Sequence, residues 1–107
     1  MYKAEYYHRG DSIDYTPEAK VAAGDVVFLG DLVGVAKLDI EAGALGALAL
    51  SGVYRVVKGS ETAEAGAPVY WNAESGQATF TQGSNKRMGT LVADAATGDA
   101  VCLVKIN

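Results

Sequence analysis

The side chains capable of covalent or acid–base chemistry are few and widely separated. One histidine, His8, and one cysteine, Cys102, stand near opposite ends of the 107-residue chain. A Cys–His or Ser–His device would therefore need a long-range tertiary meeting that no local motif prepares. Cys102 lies inside Val101-Cys102-Leu103-Val104, the setting of a small core hydrophobe, and has no second cysteine to pair with. Three carboxylate pairs are spaced so that a fold could bring a general acid and a general base together, as in glycoside hydrolysis: Asp11 with Asp14, Asp25 with Asp31, and Asp94 with Asp99. They occur in glycine- and serine-containing stretches, where aspartate accepts from backbone amides, so turn chemistry is their expected role. Arg9-Gly10-Asp11 spells an adhesion tripeptide, a three-residue match with almost no specificity. No His or Cys pair and no D-x-[DN]-x-[DN]-G loop offers the ligands zinc or calcium demands. G-x-x-x-x-G-K-[ST] is also missing, and with it the backbone cradle of a nucleotide phosphate. The expectation is a protein with no catalytic residue, no metal and no cofactor.

Contact chemistry is better represented. Residues 1–17 carry four of the six tyrosines, Tyr2, Tyr6, Tyr7 and Tyr15, interleaved with charged residues and His8. Tyr2, Ala4, Tyr6 and His8 alternate with Lys3, Glu5, Tyr7 and Arg9, the pattern of an extended segment. Two readings stay open for it: an edge strand of its own domain, or an arm that orders on a neighbour. Tyr70-Trp71 holds the only tryptophan at the end of an apolar strand, where successive side chains point to opposite faces. One ring is expected in the core and the other outside, where it would anchor a protein contact or stack on a sugar. The candidate contact residues are Tyr2, Tyr6, Tyr7, His8, Arg9, Tyr15, Trp71 and Phe80.

The elements that must position these residues form a repeat. Ala22-Ala23-Gly24-Asp25-Val26-Val27-Phe28-Leu29 is echoed by Glu64-Ala65-Gly66-Ala67-Pro68-Val69-Tyr70-Trp71. Gly34 to Asp39 followed by Gly43 is likewise echoed by Gly89 to Asp94 followed by Gly98. In each, a small-residue turn launches a short apolar strand. Leu45 to Leu50 has helix-forming residues, but Gly43, Gly46 and Gly52 interrupt it and it aligns with the β-branched segment ending at Ile106, so it reads as a strand. Residues 72–87 form an insertion with a turn at Ser75-Gly76, a β-prone run at Gln77–Thr81 and a second turn at Gln82–Asn85. The prediction is an all-β fold, a small barrel or sandwich of about eight short strands built from two similar halves, near 18–57 and 58–107. An extended arm or edge strand, 1–17, precedes this single β domain.

Net charge is -4 with scattered basic residues, which disfavours a nucleic-acid binder. No apolar run reaches the roughly 20 residues of a membrane span. The expectation is a protein made in a cytosol that binds neither membrane nor nucleic acid.

Taken in order, Gly10 to Thr16, Ala23-Gly24-Asp25-Val26-Val27, Gly30 to Ala36, Ser51-Gly52-Val53-Tyr54, Val69-Tyr70-Trp71-Asn72 and Lys86-Arg87-Met88-Gly89 resemble the small capsid decoration, or cement, proteins of tailed bacteriophages. The likeness runs over nearly the whole chain. Members often carry labels such as domain of unknown function or RecA/RadA-type phage recombinase, and the missing nucleotide loop speaks against the second. The resemblance implies a β-rich protein on the outer face of a mature virion head, commonly a homotrimer, bound to the major capsid protein and tying capsomers together. It carries over no catalytic residue. Two other classes stay open: a ligand- or carbohydrate-binding module displayed on the virion, using Trp71 and the 72–87 loop, and a recombination-associated factor.

Overall fold

A computed structural model describes residues 3–106, and among these it contains nine strands and no helix. β1 is Ser12–Tyr15, β2 Val26–Leu29, β3 Leu32–Ala36, β4 Gly46–Ala49, β5 Val53–Val57, β6 Pro68–Asn72, β7 Gln77–Thr79, β8 Lys86–Leu91 and β9 Val101–Ile106. They form two antiparallel sheets, β1-β4-β3-β2 and β5-β9-β8-β6-β7, in a sandwich rather than one closed barrel.

The repeat seen in the sequence is a repeat of pairing. The first sheet matches the second strand for strand, β1 with β5, β4 with β9, β3 with β8 and β2 with β6. Gly24 N–H donates to the Ala36 carbonyl at 2.6 Å, as Gly66 N–H does to Leu91 at 2.7 Å. The two glycines share a left-handed backbone, φ 92° and 95°, which a side chain would strain. The bridge between Val21 and Ile40 recurs between Ala63 and Ala95. Registers agree as well: Ala36 faces Leu48 across β3 and β4, and Leu91 faces Val104 across β8 and β9.

This pairing moves the boundary between the halves. Val53–Val57, expected at the end of the first half, pairs with β9 and opens the second, just as β1 pairs with β4 and opens the first. The reason lies in β1: Ser12 to Tyr15 alternates polar and apolar residues like the tyrosine-rich stretch before it, which masks the strand that begins the first repeat. Lys86 and Arg87, expected in the insertion, start β8. The insertion itself adds β7 along the outer side of β6.

The larger core cluster joins both sheets. Val33 and Val35 of β3 share it with Val56, Val69, Met88, Leu91, Cys102, Val104 and Ile106 of the second sheet. A smaller cluster, Val21, Ala36, Ile40 and Leu48, sits in the first sheet under Ile13, Tyr15 and Val27. Volumes are exchanged between the repeats. Where the first copy has bulky Ile40, the facing position is Gly46, and a Cβ added there would come within 2.7 Å of the Ile40 side chain. The second copy has Ala95 and Cys102 at those positions, both buried, so Cys102 fills volume that Ile40 occupies in the first. Gly46→Cys should cost about 1–3 kcal/mol by overpacking, and Ile40→Ala about 2–5 kcal/mol by cavity formation. Urea unfolding of the double variant should show a loss smaller than the sum by about 1 kcal/mol or more.

Candidate functional site

The chemistry-bearing residues are dispersed or committed. Cys102 lies buried in β9, where burial pushes its thiol pKa up against the opposing pull of the Lys58 charge. His8 is exposed in the amino-terminal segment, its Nδ1 accepting from the Gly10 amide at 2.9 Å and its ring tilted against Tyr7. Buried thiol and exposed imidazole form no dyad. The carboxylates of the glycine turns hold backbone: Asp25 accepts from Ala22 N–H at 3.0 Å and Asp99 from Ala96 N–H at 2.9 Å. Asp39 and Asp94, equivalent in the repeat, accept from Ala23 and Ala65 at 2.8 Å each. Asp31 is at the tip of the β2–β3 hairpin, and Asp11 pairs with Arg9 at 3.3 Å in the open. Among the described residues no group of three or more His, Cys, Asp and Glu could hold a metal ion.

One polar cluster was not legible in the sequence. Lys58 is 5% exposed, and its ammonium donates to the carbonyls of Gly59, Glu61 and Ala96 at 2.8–2.9 Å. Its backbone bridges to Ala78, so the second sheet curls until the end of β5 reaches β7. Glu61 fastens the same seam, accepting from Thr79 Oγ1 at 2.6 Å, Thr81 Oγ1 at 2.8 Å and Phe80 N–H at 3.3 Å. The Thr79 hydrogen bond is the main cause that holds the Glu61 carboxyl below its ordinary value, helped by Thr81, Phe80 and the Lys58 charge against the opposing effect of burial. The cluster is structural: its donors and acceptors are spent on one another.

The predicted contact residues divide in three. Tyr2 lies outside the described residues. Tyr6, Tyr7, His8 and Arg9 share one exposed segment outside any strand, Tyr6 at 79% and Tyr7 at 91% exposure, leading into a groove of about 660 Å³ that runs to Asp14. Tyr15, Trp71 and Phe80 are partly buried and pack on the core clusters. Trp71 also lines a cleft of about 610 Å³ with Phe28, Glu74, Asn85 and Lys86. Most polar groups there are occupied: Lys86 Nζ donates to the Gly30 carbonyl at 2.6 Å and lies 5.8 Å from the Phe28 ring centre, while Asn85 Nδ2 donates to Thr81.

A further surface was missed. On the outer face of β5 and β9, Val53, Val57, Val101 and Leu103, with Val92 beside them, are 37–55% exposed around Arg55 and Lys105. The available signal was that both alternating sets of β5, Val53/Val57 and Tyr54/Val56, are largely apolar, the mark of a strand with two contact faces.

The conspicuous surfaces are thus those of a contact protein: two β-sheets, a bare aromatic segment and an apolar outer face. Residues 7–106 match the phage cement protein family, and the chain belongs to that family. No curated protein and no solved structure matches it. The family is structural, and membership associates the chain with the phage capsid of the virion.

Two measurements check the Lys58 and Glu61 seam. Because the folded pKa of Glu61 lies below the ordinary 4.5, its ionised form contributes stability above that value, and the contribution is lost as pH falls through the folded pKa. The stability difference between wild type and Glu61→Gln should be largest near about pH 7 and shrink toward about pH 3; a pH-independent difference would leave only the neutral hydrogen bonds. Lys58→Met strips a donor from three carbonyls and should cost about 2–4 kcal/mol in urea unfolding.

Proposed function

We propose that this chain decorates the outer surface of a mature phage head, binding the major capsid protein as a homotrimer and bracing contacts between capsomers after synthesis in the host cytoplasm. Family membership supports the capsid association. The observation that carries the finer reading is the exposed segment Lys3 to Arg9, in which Tyr6 and Tyr7 are largely open to solvent among the described residues. Tyrosine offers a large contact area at low entropic cost, and a segment ordered only on the shell ties binding to a particular lattice. Each contact can be weak, because a repeated lattice converts many such contacts into avidity.

A second reading rests on the Trp71 cleft. An indole and a Phe28 ring beside the Glu74 carboxylate would suit a neutral sugar, making the head surface a display site for a carbohydrate-binding module. Titration of a glycan panel against tryptophan fluorescence decides it: saturable quenching abolished by Trp71→Ala supports the module, and an unresponsive Trp71 removes it.

Co-sedimentation with expanded shells, unexpanded procapsids and a DNA control at matched salt tests the decoration role. Saturable binding to expanded shells is the expected result, and DNA binding without shell binding would replace it with the recombination-associated reading. Deleting residues 2–9 should weaken shell binding about tenfold or more, equivalent to about 1.4 kcal/mol, while leaving the thermal midpoint of the free protein unchanged.

A further inference from the structure

The two repeats are closed differently. In the second, β7 seats between β6 and the end of β5, with Tyr70 opposite Thr79, Trp71 opposite Ala78, and Lys58 bridged to Ala78. Residues 72–86, which include it, stand where the first repeat has only the hairpin turn Gly30-Asp31 between Leu29 and Leu32. Among the described residues β1 and β2 each pair on one side, so the edges that flank β7 in the second repeat are bare in the first. Leu50 N–H donates to the Asp11 carbonyl and Ala36 N–H to that of Asp25. By ladder alternation, the backbone groups of Ser12 and Asp14 then turn away from β4, and those of Val26 and Phe28 away from β3. Phe28 is the counterpart of Tyr70, which pairs with β7 along this same edge.

Burial records the missing strand. Ala78 is 2% exposed, and Val56 and Val69 of the same cluster are 7% and 0% exposed. Their counterparts Tyr15 and Val27 are only partly buried, and Leu29, the counterpart of Trp71, is 40% exposed. One backbone pattern without its closing strand leaves an apolar slot walled by Ile13 and Tyr15 on β1 and by Val27 and Leu29 on β2. Its open edges offer donors and acceptors to an added strand.

Charge and continuity select the occupant. The filled slot is flanked by Arg55 on β5 and by Lys86 opposite Trp71, and residues 72–85 contain one carboxylate, Glu74, and no basic residue. At the two flanking positions the first repeat has Asp14 and Asp31, both exposed and without an ion pair among the described residues. A rim of reversed sign calls for a strand that carries Lys or Arg beside a small inward residue like Ala78. The exposed tyrosine segment leads directly into β1, so a shell contact that begins there continues along the slot.

We propose that the slot between β1 and β2 captures an extended basic segment of the shell protein, which adds as a strand where β7 lies in the second repeat. The proposal deepens the capsid role above and rests on it. Backbone pairing with Ser12, Asp14, Val26 and Phe28 supplies affinity, while the small inward residue and the Asp14 and Asp31 rim supply selectivity. The segment also covers Tyr15, Val27 and Leu29, completing in the bound state the closure that the second repeat has from within.

Hydrogen exchange of the full chain, free and on expanded shells, reads the slot directly. Amides in 12–16 and 26–29 should exchange at least about tenfold more slowly on shells, with 77–79 unchanged. Asp14→Lys combined with Asp31→Lys should weaken shell binding at least about tenfold, as should raised salt for the wild type, with circular dichroism confirming the fold. A graft of residues 72–86 in place of Gly30-Asp31, once slowed exchange in β1 and β2 shows it seated, should block the slot and weaken shell binding to a similar degree. Shell binding without protection of 12–16 and 26–29 overturns the proposal, as does unimpaired binding by the seated graft. Protection that accompanies self-association without shells would assign the slot to another copy instead. A synthetic peptide of residues 75–81 flanked by lysines separates the slot from the decoration role. Protection by the peptide with no binding to shells would count against decoration, and protection by neither would overturn the slot.

Discussion

Both sheets depend on one clamp, in which the amide of a left-handed glycine, Gly24 or Gly66, donates to the carbonyl of the strand that runs back beside it. A carboxylate one turn further on, Asp39 or Asp94, then accepts from the alanine amide before that glycine. The clamp aligns β2 with β3 and β6 with β8, and the registers follow from it. Asp39 and Asp94, like Asp25 and Asp99, satisfy turn amides and are backbone fittings before they are surface charge.

From this common frame the halves part company through volume and polarity. Exchange of Ile40 and Gly46 for Ala95 and Cys102 keeps each interior filled with different side chains. The second half also carries the insertion, whose β7 would leave an open edge beyond β6. The buried Lys58 ammonium and the Glu61 carboxylate draw that edge toward β5 through carbonyls and threonine hydroxyls. A charged side chain so placed is tolerated because each proton of the ammonium has a carbonyl acceptor.

For a cement protein, such a frame suits the task. A two-sheet body presents contact surfaces on its exposed strands and segments. The exposed tyrosine segment and the bare face of the second sheet lie on different parts of the chain. The Trp71 cleft lies apart from both, built by the insertion against β2.

The all-β class and the doubling were legible because they reside in neighbouring residues: glycine turns and β-branched runs. The same locality made Cys102 readable as a core residue and Asp25 and Asp99 as caps, whereas Asp14, expected in a turn, lies in β1 because its partner strand β4 is distant in sequence. Legibility failed where pairing joins distant segments. That Val53–Val57 opens the second sheet depends on a partner at Val101–Lys105, and β1 shows itself only against β4. Lys58 resembles any surface lysine until Ala96, far along the chain, supplies a carbonyl. Of the candidate contact residues, tyrosine content alone grouped Tyr6 and Tyr7 with Tyr15, and only packing separates two bare rings from one laid on the small core. The chain by itself determined which strands and turns form, because those rest on local backbone preference and hydrophobic alternation. Tertiary structure decided which faces stay bare, because exposure is set by what the rest of the chain leaves uncovered.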